Sequence, residues 1–431
     1  MTAPNQATRL PRLLRGLHRD GRRVSLTEHL ATHGPLPVAT GRRRGDNALV
    51  DLVGRAGLCG RGGAGFPTAA KMASVAGRRG RPVVVANGAE GEPASAKDRV
   101  LLAQNPHLVL DGAAVAAAAV GASRVIVAVN ASTAATVTAA LADRAAHDLD
   151  QVRTEVVTVP DRFIAGEESA LVNFLNGRPG LPAFVPPRPY ERGVDRQPTL
   201  VQNVETVAHL ALIARHGPEW FRSVGSVAEP GSTLVTLTGA VGRPGVYEVA
   251  RGTRLGDFID SVGGPSAPLQ AFLIGGYAGA WLPARPATWE TPLSEEGLRP
   301  LGGILGAGVI VAFPASACGI SETAGILTYL DAESAGQCGP CVNGLAAMAG
   351  AVGDLARGTA RGDVIERLQR WAQQVTGRGA CHHPDGAARL LASALHTFSA
   401  DVTAHHHHQP CTGAKPPRST TTMSDRRGVR R

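Results

Sequence analysis

The chain has 431 residues, 43% hydrophobic and only 4% aromatic, which is length enough for two or three domains with cores built largely from Ala, Val and Leu. The longest apolar stretch, "LVLDGAAVAAAAVGA", is short and broken by Asp111, and the Arg-rich start has no apolar run behind it, so neither a membrane span nor a secretory signal is expected and a cytoplasmic location follows. The net charge of +9 sits at the ends, with nine Arg against Asp20 and Glu28 in residues 1–44 and six basic residues against Asp425 in 405–431, which argues against a nucleic-acid-binding face.

In chain order, residues 47–56 read as a short helix, followed by the glycine loop "GLCGRGGAGFPTAAK" and a second helix start. The β-branched run "RPVVVAN" ends at Asn87 and opens into the polar loop "GAEGEPASAKDR". An Ala-rich helical stretch to about Gly121 leads to the strand "RVIVAVN", a helix from about Ser132 and the strand "EVVTVP". Strands alternating with helices predict a parallel α/β sheet, with ligands beyond the carboxyl ends of its strands, where Asn87 lies. From Ser232 the pattern changes to a small β-rich unit of β-grasp type around "GAVGRPGVYEV". Beyond about Ser321 the chain turns helical, and from about Ala404 its low-complexity tail is expected to be disordered.

Gly60, Gly62 and Gly65 match G-x-G-x-x-G, but a helix rather than a strand precedes them, so a dinucleotide fingerprint is not supported. Two readings remain: a flexible turn, or a turn whose backbone N–H groups bind phosphate with Lys71 one turn beyond. Lys71 and Lys97 are two of only three lysines beside forty-one arginines, and both lie in these glycine-rich segments. The acids Glu90, Glu92, Glu167 and Glu168 sit at loop ends and helix starts, where carboxylates complement the helix dipole and also suit ribose hydroxyls.

With these segments in order, the chain resembles the NADH-binding flavoprotein subunit of respiratory complex I and its relatives in hydrogenases and formate dehydrogenases. The matching pieces are "GLCGRGGAGFPTAAK", "NGAEGEPASAKDR", "AGEESALVNFLNGRPGLP", "PTLVQNVET", "GAVGRPGVYEV" and "GQCGPC". The resemblance implies a Rossmann-like α/β domain for FMN and NADH over 45–225, a small β-grasp (SLBB-type) domain over 230–290, and a helical iron–sulfur domain over 318–403. A basic segment 1–44 and a tail 404–431 flank them. By position, Gly62, Gly63, Lys71, Asn87, Glu90 and Asn203 would hold FMN, while Phe66, Glu92, Glu167 and Glu168 would lie toward NAD(H). A donor, NADH or another, would reduce the flavin, and a partner subunit or ferredoxin-like acceptor would take the electrons.

The chain departs from the family pattern at Ala89, Ser74, Val185, Arg188, Phe163 and Gln202, mostly on the nicotinamide side. In the family's cluster motif, Cys338 and Cys341 fall on the second and third cysteines, Cys381 matches the fourth, and Ala335 occupies the place of the first. Three thiolates leave several options: a [4Fe–4S] cluster with one exogenous ligand, a [3Fe–4S] cluster, a histidine ligand from His382 or His383, or tetrahedral zinc. Cys59 and Cys318 read as packing residues. A competing reading is a catalytically degenerate relative acting as a scaffold or binding module.

Overall fold

The computed structural model describes residues 10–37, 47–150, 152–409, 411 and 413. The β-branched runs form a parallel four-stranded sheet from β1 (Val83–Gly88), β2 (Arg124–Val129), β3 (Arg153–Thr158) and β4 (Thr199–Asn203), in the order β3-β2-β1-β4. Leading from β1 to β2 and β3, the chain builds outward on one side, then returns with β4 on the other. That reversal is a topological switch point between β1 and β4, where open α/β sheets place their ligands. The strand β4 lies within the motif "PTLVQNVET" and is too short to stand out by periodicity.

The predicted Ala-rich helix is two helices, Lys97–Gln104 and Pro106–Val120, meeting at Asn105 and Pro106. The second packs against the helix Val204–Arg222 so closely that a Cβ on Gly112 would sit 1.8 Å from the Val207 carbonyl oxygen. Small residues let the two backbones approach, which is how a core with few aromatic rings reaches native density.

The second sheet joins β5 (Ser232–Gly239), β6 (Gly245–Ala250), β7 (Leu269–Ile274), β8 (Ala280–Pro283) and β9 (Val309–Pro314), in the order β6-β5-β9-β7-β8. This is the expected β-grasp unit, but its middle strand β9 arrives only at Val309, so the boundary expected at 290 cuts the sheet. A helical region follows, with helices Gly319–Ala332, Ala346–Ala356, Val364–Val375, His383–Thr397 and Ser399–His406 around one apolar core.

The N-terminal segment docks on the protein, and part of the C-terminal tail departs from the expected disorder. Within the basic N-terminal segment, residues 10–37 dock on the body: the half-buried Glu248 carboxylate accepts the amide N–H of Arg12 at 2.6 Å and of Leu13 at 2.7 Å. His29 donates to buried Asp111 at 2.7 Å, and Arg144 reaches the same carboxylate at 2.8 Å, tying this segment to the sheet's helices. At the other end a helix runs through Ala404 to His406, and Cys411 and Gly413 lie against the protein, so these tail residues are not disordered. Residues 1–9, 38–46 and 414–431 lie outside the described residues.

Candidate functional site

Asn87, next to last in β1, and Asn203, which ends β4, stand directly opposite in register at the switch point. The Asn203 side chain donates to the Asn87 carbonyl at 3.5 Å, and the Asn87 amide donates to Gly166 O at 2.9 Å. The 163–168 segment is thereby drawn over the sheet's carboxyl edge. On the β4 side the glycine loop closes by Gly60 N–H to Phe66 O at 2.9 Å and Thr68 N–H to Leu58 O at 2.9 Å. A Cβ on Gly62 would meet Asn203 Cβ at 3.2 Å, so the loop rests on the strand end, and Gly63 (φ +108°) needs a conformation that only glycine adopts easily.

Among the described residues, nothing accepts from the amide N–H groups of Gly62, Gly63, Ala64 or Gly65. Such a row of free donors is the backbone cradle that anionic phosphates seek. Beside it a small cleft of about 140 Å³ is lined by Gly60, Arg61, Gly63, Lys97, Arg251 and Gly306. The loop therefore fits a phosphate-bearing flavin.

Lys97 is the most deeply buried of three buried cations at this cleft, beside Arg61 and Arg251; it is marked in the sequence only by its rarity and is not among the expected binding residues. Its ammonium contacts Asp98 at 2.8 Å and Glu205 at 2.9 Å, with Lys97 2% and Glu205 0% exposed. Asn203 donates to Asp98 at 2.7 Å, and Glu205 accepts from Leu234 N–H at 2.8 Å and Thr233 Oγ1 at 3.0 Å. Burial lowers the lysine's proton affinity, but Asp98 and Glu205 outweigh it and raise Lys97 above its ordinary value. Burial pushes Asp98 up to about 6 despite the ammonium beside it. The network pins the helix Lys97–Gln104 to β4 and to the second sheet.

The expected site residues divide into two groups. Lys71 pairs with Glu168 at 3.0 Å, bringing the starts of the helices Thr68–Ala76 and Glu168–Leu175 together near the switch point. Phe66 is 55% exposed, a free aromatic face on the loop. Glu90, by contrast, is occupied internally, accepting from Ser95 Oγ at 2.6 Å and from the Asp98 and Arg99 amides at 3.0 and 3.1 Å. Glu167 caps its helix, accepting from Ala170 N–H at 2.8 Å, and its charge also reaches Cys381. Glu92 accepts from Tyr277 N–H at 2.9 Å, and burial pushes its carboxyl up to about 7.

An aromatic row connects this region with the cysteines: Tyr277 meets Tyr329 at 5.6 Å, Tyr329 meets Phe163 at 6.1 Å, and Phe163 meets His383 at 5.2 Å between centroids. The side chains of Cys338 and Cys341 interact directly, the charge of Cys381 raises Cys341, and that of Cys338 raises Cys381. Burial disfavours the thiolates, yet amide donors from Ala380 and Cys341 hold Cys338 below its usual value, while burial pushes Cys341 up to about 11. Among the described residues the three thiols do not all come within 4.8 Å of one another. Of the two histidines weighed as a further ligand, His382 is exposed and bound to Asp385 at 3.0 Å, while His383 donates Nε2 to Leu330 O at 2.8 Å and keeps a buried, unpartnered Nδ1.

Fold and site together define an oxidoreductase flavoprotein subunit with an FMN domain, a β-grasp module and a helical region that carries three cysteines. Family models agree segment by segment. Residues 53–212 match the Nuo51 FMN-binding domain, 234–275 the SLBB domain, and 321–405 the NADH-ubiquinone oxidoreductase-F iron-sulfur binding region. The NADH-quinone oxidoreductase F 2 subunit of Rhizobium meliloti is 31% identical over 91% of this chain and 96% of its own. The HndC subunit of the NADP-reducing hydrogenase of Solidesulfovibrio fructosivorans is 28% identical over 90% and 82%. The crystal structure of an air-oxidized NAD+-reducing [NiFe]-hydrogenase superposes with a TM-score of 0.78 at 30% identity, covering 86% of this chain and 63% of that one. The chain belongs to the family of NADH-quinone oxidoreductase F subunits.

Proposed function

We propose that this chain takes reducing equivalents from a reduced nicotinamide and passes them singly toward a partner redox subunit. The free N–H row of residues 62–65 at the switch point, with Lys97 buried behind it, carries this reading. Those groups, with Asn87, Asn203 and Lys71, would hold FMN, which when bound accepts a hydride and gives up electrons one at a time. Glu168 orients Lys71 through their ion pair. Phe66 offers the exposed ring on which a nicotinamide would stack, since Ser74 and Arg188 provide no aromatic face. Cys338, Cys341 and Cys381 would hold an iron–sulfur cluster through three thiolates, and the row Tyr277, Tyr329, Phe163 runs from Glu92 toward His383. No helix among the described residues is long and apolar enough to cross a membrane, and a peripheral place in a cytoplasmic complex is consistent with this.

Anaerobically purified protein should carry flavin absorbance that NADH bleaches. Flavin-free protein from a host that supplies FMN, or bound flavin that no reduced nicotinamide bleaches, would favour the scaffold reading instead.

A further inference from the structure

Away from the flavin cleft and the three cluster cysteines, a second thiol group forms where the C-terminal segment returns to the body. Cys318, at the N-terminus of the helix Gly319–Ala332, is 2% exposed, and its sulfur accepts from Ser321 N–H at 3.4 Å. His405, on the last described helix, brings Nε2 to 3.2 Å from the Cys318 sulfur. Cys411 completes the group: the three ligand atoms all lie within 4.8 Å of one another, with Cys318 buried and the other two half-buried.

This convergence is built by the backbone. A Cβ on Gly413 would meet Cys318 N at 2.4 Å and Ala317 O at 2.7 Å, so the segment after Cys411 lies flat against the turn that carries Cys318, where only glycine fits. Before it, Gln409 N–H donates to Ala404 O at 2.8 Å and His408 Nδ1 bonds Gly358 O at 2.6 Å, fixing the end of the four-histidine run. Of those histidines it is His405 that faces the cysteines.

We infer that Cys318, His405 and Cys411 form a binding site for a thiophilic divalent cation of the zinc type. Two thiolates and one imidazole are a zinc donor set, and tetrahedral Zn–S and Zn–N bonds would place sulfur and nitrogen about 3.5 Å apart, close to the separation found here. Water would take the fourth position on the open side. Binding releases the thiol protons and transfers no electrons. The ion would clip the C-terminal segment to the start of the helix that leads to Cys338 and Cys341. The site does not depend on the flavin reading.

The test uses untagged full-length protein, kept reduced, equilibrated with zinc chloride and desalted, beside Cys411→Ser and His405→Gln. Both substitutions are at half-buried positions, which spares the packing around buried Cys318. Wild type should retain one more zinc per chain than either variant at equal iron content, and zinc should raise the melting temperature of wild type alone. Cobalt(II) should give wild type a thiolate-to-metal charge-transfer band that Cys411→Ser lacks. Equal zinc content and equal cobalt spectra in wild type and Cys411→Ser would overturn the site. So would a Cys318–Cys411 disulfide, seen by mass spectrometry, that persists in protein kept under reducing conditions.

Discussion

Lys97→Met should lower stability at neutral pH by about 3–5 kcal/mol, the usual cost of removing one partner from a buried ion cluster. The substitution keeps most of the side-chain volume but leaves Asp98 and Glu205 facing each other without a cation. Asp98 is already raised to about 6 with the ammonium present, so in the variant the folded pair must hold a proton to pH values above that. The folded state then binds more protons than the unfolded chain between the ordinary carboxylate range and the raised value, and stability falls as pH rises through that window. The deficit relative to wild type should therefore be larger at about pH 8 than at about pH 5. Denaturant unfolding of flavin-free wild type and variant at both pH values measures it. A deficit that does not change with pH would mean that the carboxylates are not coupled to Lys97 as described. Flavin occupancy should fall as well, since Lys97 lines the cleft beside the glycine loop. Lys97→Arg should not rescue either property, because Gly308 packs against the lysine stem and leaves little room for a planar guanidinium.

The second large effect is expected at Cys381. With Ala335 where the family has its first cysteine, three cysteines would hold the proposed cluster, and Cys381→Ser leaves the adjacent pair Cys338 and Cys341 alone. Two thiolates from one turn hold a multi-iron cluster poorly, so iron and sulfide should fall nearly to zero. Flavin binding should survive, because the switch-point loop and the Lys97 network are built from other elements. Iron, sulfide and flavin assays on anaerobically purified wild type and variant give the comparison. Undiminished iron and sulfide in Cys381→Ser would place the cluster ligands elsewhere.

Much of this architecture is legible in the sequence. β1, β2 and β3 are β-branched runs whose apolar continuity marks them, and the glycine loop announces itself by composition. β4 and β9 are less visible, since one is five residues inside a polar motif and the other enters its sheet about seventy residues after β5. Burial and partners were beyond reach. Glu90 looks as available as Glu92 in the loop "GAEGEPASAKDR", yet its carboxylate is spent on the next helix's N-terminus, because that helix has no other cap. Lys97 differs from Lys71 only through the fold, which seals one against Asp98 and Glu205 and leaves the other near the surface beside Glu168. The group Cys318, His405 and Cys411 has no sequence signature, since its first two members are 87 residues apart and meet only through the helical region's packing.

Electrons entering at the switch point should reach the three cysteines. Anaerobic wild-type protein, mixed with NADH and freeze-quenched, should show a reduced iron–sulfur signal by electron paramagnetic resonance as the flavin absorbance bleaches, and Cys381→Ser should bleach without that signal. A flavin that bleaches while an intact wild-type cluster stays oxidised, although dithionite reduces it, would contradict this route.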